Sequence, residues 1–343
     1  MKRIGILTGG GDAPGLNAVI RAVTRKANNA NCEVLGFQEG WKGLIEGITM
    51  PLDWSNTDSI LPLGGTILGS SRTNPFKRES GVERILENFR RFDLDAFVAV
   101  GGDDTLGVAD RLYREQAFPV VGVPKTIDND LSATDYTFGY DTAVNAAVRA
   151  IDALTTTAQA HRRVMVVEIM GRHAGWIAAG AGIASGADVC LVPERPFSIE
   201  EVCEALKANR ARGKMYNIVV VAEGATLKEG HTMTQAEGTD EFGHVRLGGI
   251  APALAREIER RTGLEARHVI LGHLQRGGSP TAFDRILGTR FGLKACELAL
   301  AGDFGKMVAL RGNSIEAVPL SEAVGEMKKL GEEYLAIIDE FTR

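Results

Sequence analysis

The chain has 343 residues, 44% of them hydrophobic and 24% charged, with a formal net charge of −5. That length exceeds the roughly 250–300 residues at which a single core stops growing, so more than one domain is expected. The acidic balance excludes a general nucleic-acid binder, which needs a basic face, although a small phosphorylated ligand needs only a local cluster of Arg and Lys.

In chain order, Ile4–Leu7 predicts a first strand and Leu16–Asn28 an amphipathic helix. That first apolar run is too short for a secretory segment or a membrane span, so a cytoplasmic protein away from membranes is expected. Strands are predicted at Cys32–Phe37, Ala96–Val100 and Val120–Val123, with helices at Val82–Arg91 and Leu106–Arg114. Thr142–Thr156 and Ile199–Arg210 read as helices, and Val164–Ile169, Val189–Val192 and Ile218–Ala222 as strands. Lys228–Val245 is polar and contains glycine, which predicts a surface excursion or hairpin. A helix over Leu254–Arg261 and a strand over Val269–Leu271 follow, and Ser321–Phe341 reads as a C-terminal helix capped by Ser321.

Near-continuous apolar strands alternating with amphipathic helices define an α/β chain whose mostly parallel sheet is buried on both faces. Ligands of such sheets sit beyond the carboxyl ends of the strands. The 41 glycines follow no period and cluster after apolar runs, as tight strand-to-helix turns require. Cys32, Cys190, Cys203 and Cys296 lack CxxC or zinc spacing and read as reduced, partly buried thiols.

The post-strand loops share one character. They read Thr-Gly-Gly-Gly-Asp (8–12), Gly-Gly-Asp-Asp-Thr (101–105), Pro-Lys-Thr-Ile-Asp-Asn-Asp (124–130), Met-Gly-Arg-His-Ala-Gly (170–175), Glu-Gly (223–224) and Gly-His-Leu-Gln-Arg-Gly-Gly (272–278). Packing alone would not place glycine, charge and small polar groups after one strand after another, so a single cleft is the economical explanation.

Residues 9–12 suit an anion at a helix N-terminus but do not match GxGxxG, which disfavours a dinucleotide site; a glycine-rich first turn is also common for structural reasons. In 101–105, two adjacent carboxylates would repel an anion unless a cation intervened, which favours Asp103 beside Mg²⁺. One of the two Asp residues also suits a helix cap. Residues 124–130 offer a carboxylate to take an alcohol's proton, but Asp-Asn-Asp is equally an ordinary turn, and spacing alone leaves both readings standing. Arg172 and Arg276, each beside glycine at a strand end, suit a phosphate dianion. His173 by itself is more often a structural histidine.

These loops, in this order and spacing, resemble the phosphofructokinase family along nearly the whole chain, with Pro124–Asp130, Met170–His173 and the run Arg267–Arg285 the most specific parts. The resemblance implies two α/β domains with the active site between them, divided as 1–138 with 251–304 on the phosphoryl-donor side and 139–250 with 305–343 on the sugar-phosphate side. It implies that Gly11, Arg72, Gly102, Asp104 and Thr105 hold the donor and that Asp103 binds Mg²⁺. Thr126 and Asp128 then meet the C1 end of fructose 6-phosphate, Asp128 as proton acceptor, with Lys125 and Arg172 neutralising the transferring group. Met170, Gly171, Arg172, Glu223, His273 and Arg276, with the adjoining Ile127, Leu274 and Gln275, hold the sugar phosphate. Arg163 and Arg267 match residues that reach a neighbouring subunit's substrate, which implies a homo-oligomer, dimer or tetramer.

Donor choice turns on Asp104 and Lys125. ATP-using members of the family typically carry glycine at the first and often at the second. Glycine leaves room for the α-phosphate of a nucleotide, whereas Asp104 adds bulk and negative charge there and Lys125 suits a compact, highly charged pyrophosphate. The expectation is a pyrophosphate-dependent, reversible glycolytic kinase. Alternatives are an ATP-dependent phosphofructokinase, a NAD- or lipid-kinase relative, and a non-catalytic regulatory subunit that binds sugar phosphate. Arg21 and Arg25 match effector positions of allosteric relatives but read as a solvated helix face, so strong allostery is not expected.

Overall fold

The computed structural model describes residues 3–228, 236–239, 245–247 and 249–341. The chain splits into two compact units, one of Met1–Ile127, Leu131–Thr142 and Arg276–Met327, the other of Asp128–Asp130, Ala143–Gln275 and Lys328–Arg343.

The first leg runs β1 (Arg3–Thr8), α1 (Leu16–Asn29), β2 (Glu33–Phe37), α2 (Trp41–Glu46), β3 (Thr49–Leu52), α3 (Trp54–Thr57), α4 (Gly81–Arg91), β4 (Ala96–Gly101), α5 (Asp103–Gln116), β5 (Val120–Thr126) and β6 (Phe138–Gly139). The long helix α6 (Tyr140–His161) leads on to β7 (Val164–Ile169), α7 (Trp176–Ser185), β8 (Val189–Leu191), α8 (Ile199–Ala211), β9 (Asn217–Ala222), β10 (Ala236–Thr239), β11 (Val245–Leu247), α9 (Ala251–Thr262) and β12 (Ala266–Ile270). The chain then returns through α10 (Ala282–Ala301), β13 (Lys306–Arg311), β14 (Ser314–Pro319) and α11 (Leu320–Ala323), and ends in α12 (Glu332–Phe341).

The sheet of the first unit has the order β14-β13-β5-β4-β1-β2-β3, with β6 beside β5. Its pairings are parallel except β2 with β3 and β13 with β14. Both faces are covered, which is why its central strands read as unbroken apolar runs. On one face α1 presents Leu16, Val19, Ile20 and Val23 alongside Leu287, Phe291 and Ala295 of α10. On the other, Leu106, Ala109 and Leu112 of α5 pack with Leu7, Phe97 and Ala99. The helix after β1 and the helix after β4 therefore lie on opposite faces. Between those adjacent strands the order reverses, which opens a crevice at their carboxyl ends.

The sheet of the second unit, β12-β7-β9-β8, is wholly parallel. Val164, Val166, Val219 and Val221 meet Val202 and Leu206 of α8 and Leu254 and Ile258 of α9 in its core. Glu168 of β7 is buried within it and accepts from the Ala251 N–H at 2.9 Å, capping α9 from a strand; burial raises its pKa above the usual carboxylate range. All four cysteines are free and buried. Among the described residues no helix is long and apolar enough to cross a membrane.

Several expectations are corrected. The units do not divide as 1–138 with 251–304 and 139–250 with 305–343. Residues 251–275 join the second unit because β12 pairs with β7, and 305–327 join the first because β13 pairs with β5. The expected helix Ser321–Phe341 is two short helices. Ser321 lies inside α11, and the segment before α12 is irregular, its Lys328 N–H donating to the Asp130 carbonyl at 2.8 Å. Strands β3, β6, β13 and β14 and helices α2, α3, α7 and α10 were not foreseen. Within the polar excursion β10 pairs antiparallel with β11; residues 229–235, 240–244 and 248 lie outside the described residues.

Candidate active site

In the first unit, the loops after β1, β4 and β5 meet because those three strands are neighbours. The Gly9 N–H donates to the Val100 carbonyl at 2.9 Å, and the Gly10 N–H to the Ser71 carbonyl at 3.1 Å. Ser70 Oγ donates to the Gly10 carbonyl, so the 70–73 segment carrying the exposed Arg72 lies along the 8–12 loop. Lys125 is buried at the end of β5, and its ammonium donates to the Gly11 carbonyl. The Arg276 guanidinium donates to the Asp12 carbonyl at 3.2 Å and covers Gly11, where a methyl group would stand 2.7 Å from Nη1.

The 101–105 turn completes this group. Helix α5 begins at Asp103, with Gly102 as its N-cap and no side-chain cap, so neither Asp103 nor Asp104 is the cap. Both stand in the first helical turn, Asp103 exposed and Asp104 half-buried. Thr105 is buried, and its side chain fills the space over Gly9 and Gly101. Backbone N–H groups at a helix start, two cations and a solvent-facing carboxylate make a cradle for a polyphosphate. Among the described residues no group of three or more His, Cys, Asp or Glu could hold a metal ion. A single exposed carboxylate fits the way Mg²⁺ binds, through one or two carboxylates plus substrate phosphate.

In the second unit, the loops after β12, β7 and β9 lie side by side because their strands do. The Gly224 N–H donates to the Gly171 carbonyl at 3.1 Å, and a methyl group on Gly224 would come within 1.9 Å of the Arg172 carbonyl. These two loops therefore touch backbone to backbone, which only glycine permits. The half-buried Glu223 donates its N–H to the Ile169 carbonyl at 2.9 Å. Gln275 is fully buried; it accepts from the Met170 N–H at 3.3 Å and donates to the Gly272 carbonyl at 3.2 Å. It thus fastens the turn that carries the exposed His273 and Leu274. Arg172 is half-buried, and among the described residues its Nε has no hydrogen-bond partner.

The Asp128–Asp130 loop belongs to this unit. Asn129 is buried with φ of 51°, and the half-buried Asp128 follows the buried Ile127. Thr126, at the end of β5 in the first unit, has its carbonyl held by Thr137 Oγ1 at 2.8 Å.

Arg163 and Arg267 converge on one carboxylate. Arg163 lies 2.7 Å and Arg267 2.5 Å from Glu265 Oε1, and the Arg163 hydrogen bond is the main cause of the lowered Glu265 pKa. Arg21 and Arg25 are not the solvated face expected. Arg25 stacks 3.3 Å from the Trp54 ring centroid and pairs with Asp58, and Arg21 is 4.0 Å from the same carboxylate. Ser70, Glu194, Asp284 and Lys328 escaped the sequence reading; only the proximity of Asp284 to the Ser279-Pro280-Thr281 turn could have marked any of them.

Glycine-rich strand-end loops with cations and carboxylates are groups that phosphoryl transfer can use, and comparison with known proteins gives the family. Residues 3–299 match Phosphofructokinase, and the chain belongs to the phosphofructokinase family. It is 57% identical over 327 residues to the Pyrophosphate–fructose 6-phosphate 1-phosphotransferase of Streptomyces coelicolor, covering 95% of each chain. It is 53% identical over 327 residues to ATP-dependent 6-phosphofructokinase 3 of the same organism, covering 95% of this chain and 96% of that one. Among solved structures, Pichia pastoris phosphofructokinase in the T-state superposes with TM-score 0.85 at 34% identity; the match covers 99% of this chain and 39% of that one.

Proposed function

We infer that this chain transfers a phosphoryl group reversibly between pyrophosphate and the C1 hydroxyl of fructose 6-phosphate, giving fructose 1,6-bisphosphate and phosphate. The observation that carries the donor choice is the half-buried Asp104 carboxylate, one residue into the helix that opens the phosphate cradle. A nucleoside α-phosphate would meet its bulk and charge, whereas pyrophosphate ends short of it. The greater identity to the Streptomyces pyrophosphate enzyme than to the ATP enzyme of that organism supports the same choice.

In this reading the residues that hold the donor all belong to the first unit. Gly11, Arg72, Gly102 and Thr105 orient pyrophosphate, and Asp103 holds Mg²⁺, which would neutralise charge on the phosphates when bound. Thr126 and Ile127 flank the acceptor end of the sugar, and Asp128 takes the C1 hydroxyl proton as the oxygen attacks phosphorus in line. Lys125 and Arg172 neutralise the transferring group. Met170, Gly171, Glu223, His273, Leu274, Gln275 and Arg276 hold fructose 6-phosphate, and Arg276 also keeps the donor loop in place through Asp12. Arg163 and Arg267 extend from a homo-oligomer's subunit toward a neighbour's substrate, in the cytoplasm.

The deciding experiment is turnover of purified protein with fructose 6-phosphate and Mg²⁺, run in parallel with pyrophosphate and with ATP. Faster turnover with pyrophosphate is expected. ATP turnover exceeding it overturns the donor choice, and turnover with neither leaves only a sugar-phosphate-binding subunit.

A further inference from the structure

Lys328 lies in the irregular segment that precedes α12, and both its backbone and its side chain are engaged inside the second unit. Its N–H donates to the Asp130 carbonyl at 2.8 Å, and its ammonium donates to Asn129 Oδ1 at 3.0 Å. Its own carbonyl accepts from Trp176 Nε1 at 3.0 Å, and the ammonium stands 5.4 Å from the centroid of the Trp176 ring, within cation–π range. Two residues on, the Leu330 N–H donates to Glu194 Oε1 at 3.1 Å. The same carboxylate accepts from the Gly175 N–H at 3.0 and 3.1 Å. The strap therefore grips the 128–130 loop on one side and the 170–176 loop on the other.

Asn129 is the constrained point in this arrangement. It is buried and left-handed, at φ 51°, a conformation that costs Asn less than most non-glycine residues and persists where the surroundings hold it. Lys328 contributes to that hold through the amide of Asn129 and the carbonyl of Asp130, on the residues directly after Asp128. A carboxylate serves as a base only when it is aimed at the proton it takes, and a misplacement of about 1 Å can cost about 100-fold in rate.

We propose that Lys328 is a positioning residue for phosphoryl transfer: it locks Asn129 in its left-handed conformation and so fixes the direction of the Asp128 carboxylate. The proposal rests on the reading of Asp128 as proton acceptor. Trp176 and Glu194 brace the strap against the loop that carries Arg172.

Steady-state kinetics with pyrophosphate and fructose 6-phosphate on K328M, K328R, N129G, the K328M/N129G double variant and D128N test it, with circular dichroism to confirm folding. K328M is expected to lose about 10- to 100-fold in kcat while KM for both substrates stays within about threefold. K328R recovers part of the loss. N129G keeps access to the left-handed backbone but removes Asn129 Oδ1 as an acceptor of the Lys328 ammonium, so it should fall in the same direction as K328M, and the double variant should be no worse than the poorer single one. A K328M enzyme within about twofold of wild-type kcat overturns the proposal, as do losses that multiply in the double variant. If K328M does not fold, N129G decides: unchanged kcat there overturns it equally. Wild-type turnover by D128N defeats the Asp128 assignment itself, whereas an inactive D128N beside a fully active K328M defeats only the positioning role.

Discussion

The Arg276 guanidinium lies directly on Gly11: a methyl group at residue 11 would stand 2.7 Å from Nη1, and that same nitrogen donates to the Asp12 carbonyl at 3.2 Å. Gly11→Ala must displace either the arginine or the loop, both of which are assigned to substrates. A loss of about tenfold or more in kcat/KM for pyrophosphate is expected, with thermal stability little changed because the loop is at the surface of the crevice. Unaltered kinetics would show that Arg276 yields without consequence.

Asp128→Ala should lower kcat by about 100-fold or more, the range for loss of a positioned general base, while fructose 6-phosphate still binds. Calorimetric titration with the sugar phosphate separates the two effects. A variant that binds and turns over normally removes Asp128 from the chemistry.

Asp104→Gly should raise kcat/KM for ATP relative to pyrophosphate by about tenfold or more, since one clash and one repulsion vanish together. A coupled assay with each donor measures the ratio. If ATP use does not rise, the donor is chosen elsewhere.

Asp284 predicts a pH dependence of stability. It is fully buried, it accepts from Thr142 N at 2.8 Å and from Thr142 Oγ1, and its Oδ1 finds no partner among the described residues. Burial pushes its pKa up to about 6 from the ordinary 3.8. Between those values the unfolded chain holds fewer protons than the folded one, so this group's contribution falls as pH rises through that window and is flat above it. The span corresponds to about 3 kcal/mol. Asp284→Asn should remove that slope from denaturant-unfolding free energies measured between pH 4 and 7; an unchanged slope assigns it to other groups.

Much of the fold was legible because burial on both faces writes itself into sequence as unbroken apolar runs. Ile4–Leu7, Val164–Ile169 and Ile218–Ala222 each fall inside the strand found, and Leu16–Asn28 falls one residue short of its helix. Two of the misses share a cause. The expected start of α5 at Leu106 ignored that Asp103 and Asp104 lie in its first turn, because a Gly-Gly-Asp-Asp run reads as loop until tertiary contacts recruit it. The C-terminal helix broke at a segment whose helical pattern was overridden by hydrogen bonds to Asp130 and Glu194.

The linear sequence by itself determined the parallel α/β class, the family, and which residue types stand after each strand, because hydrophobic periodicity and loop chemistry are local properties. Only the tertiary structure decided that Arg276 covers Gly11, that Arg163 and Arg267 share Glu265, and that Lys328 grips the Asp128–Asp130 loop from 198 residues beyond Asp130. Such pairings depend on strand order and on where a returning segment comes to lie, and no local pattern encodes a contact between residues so far apart along the chain.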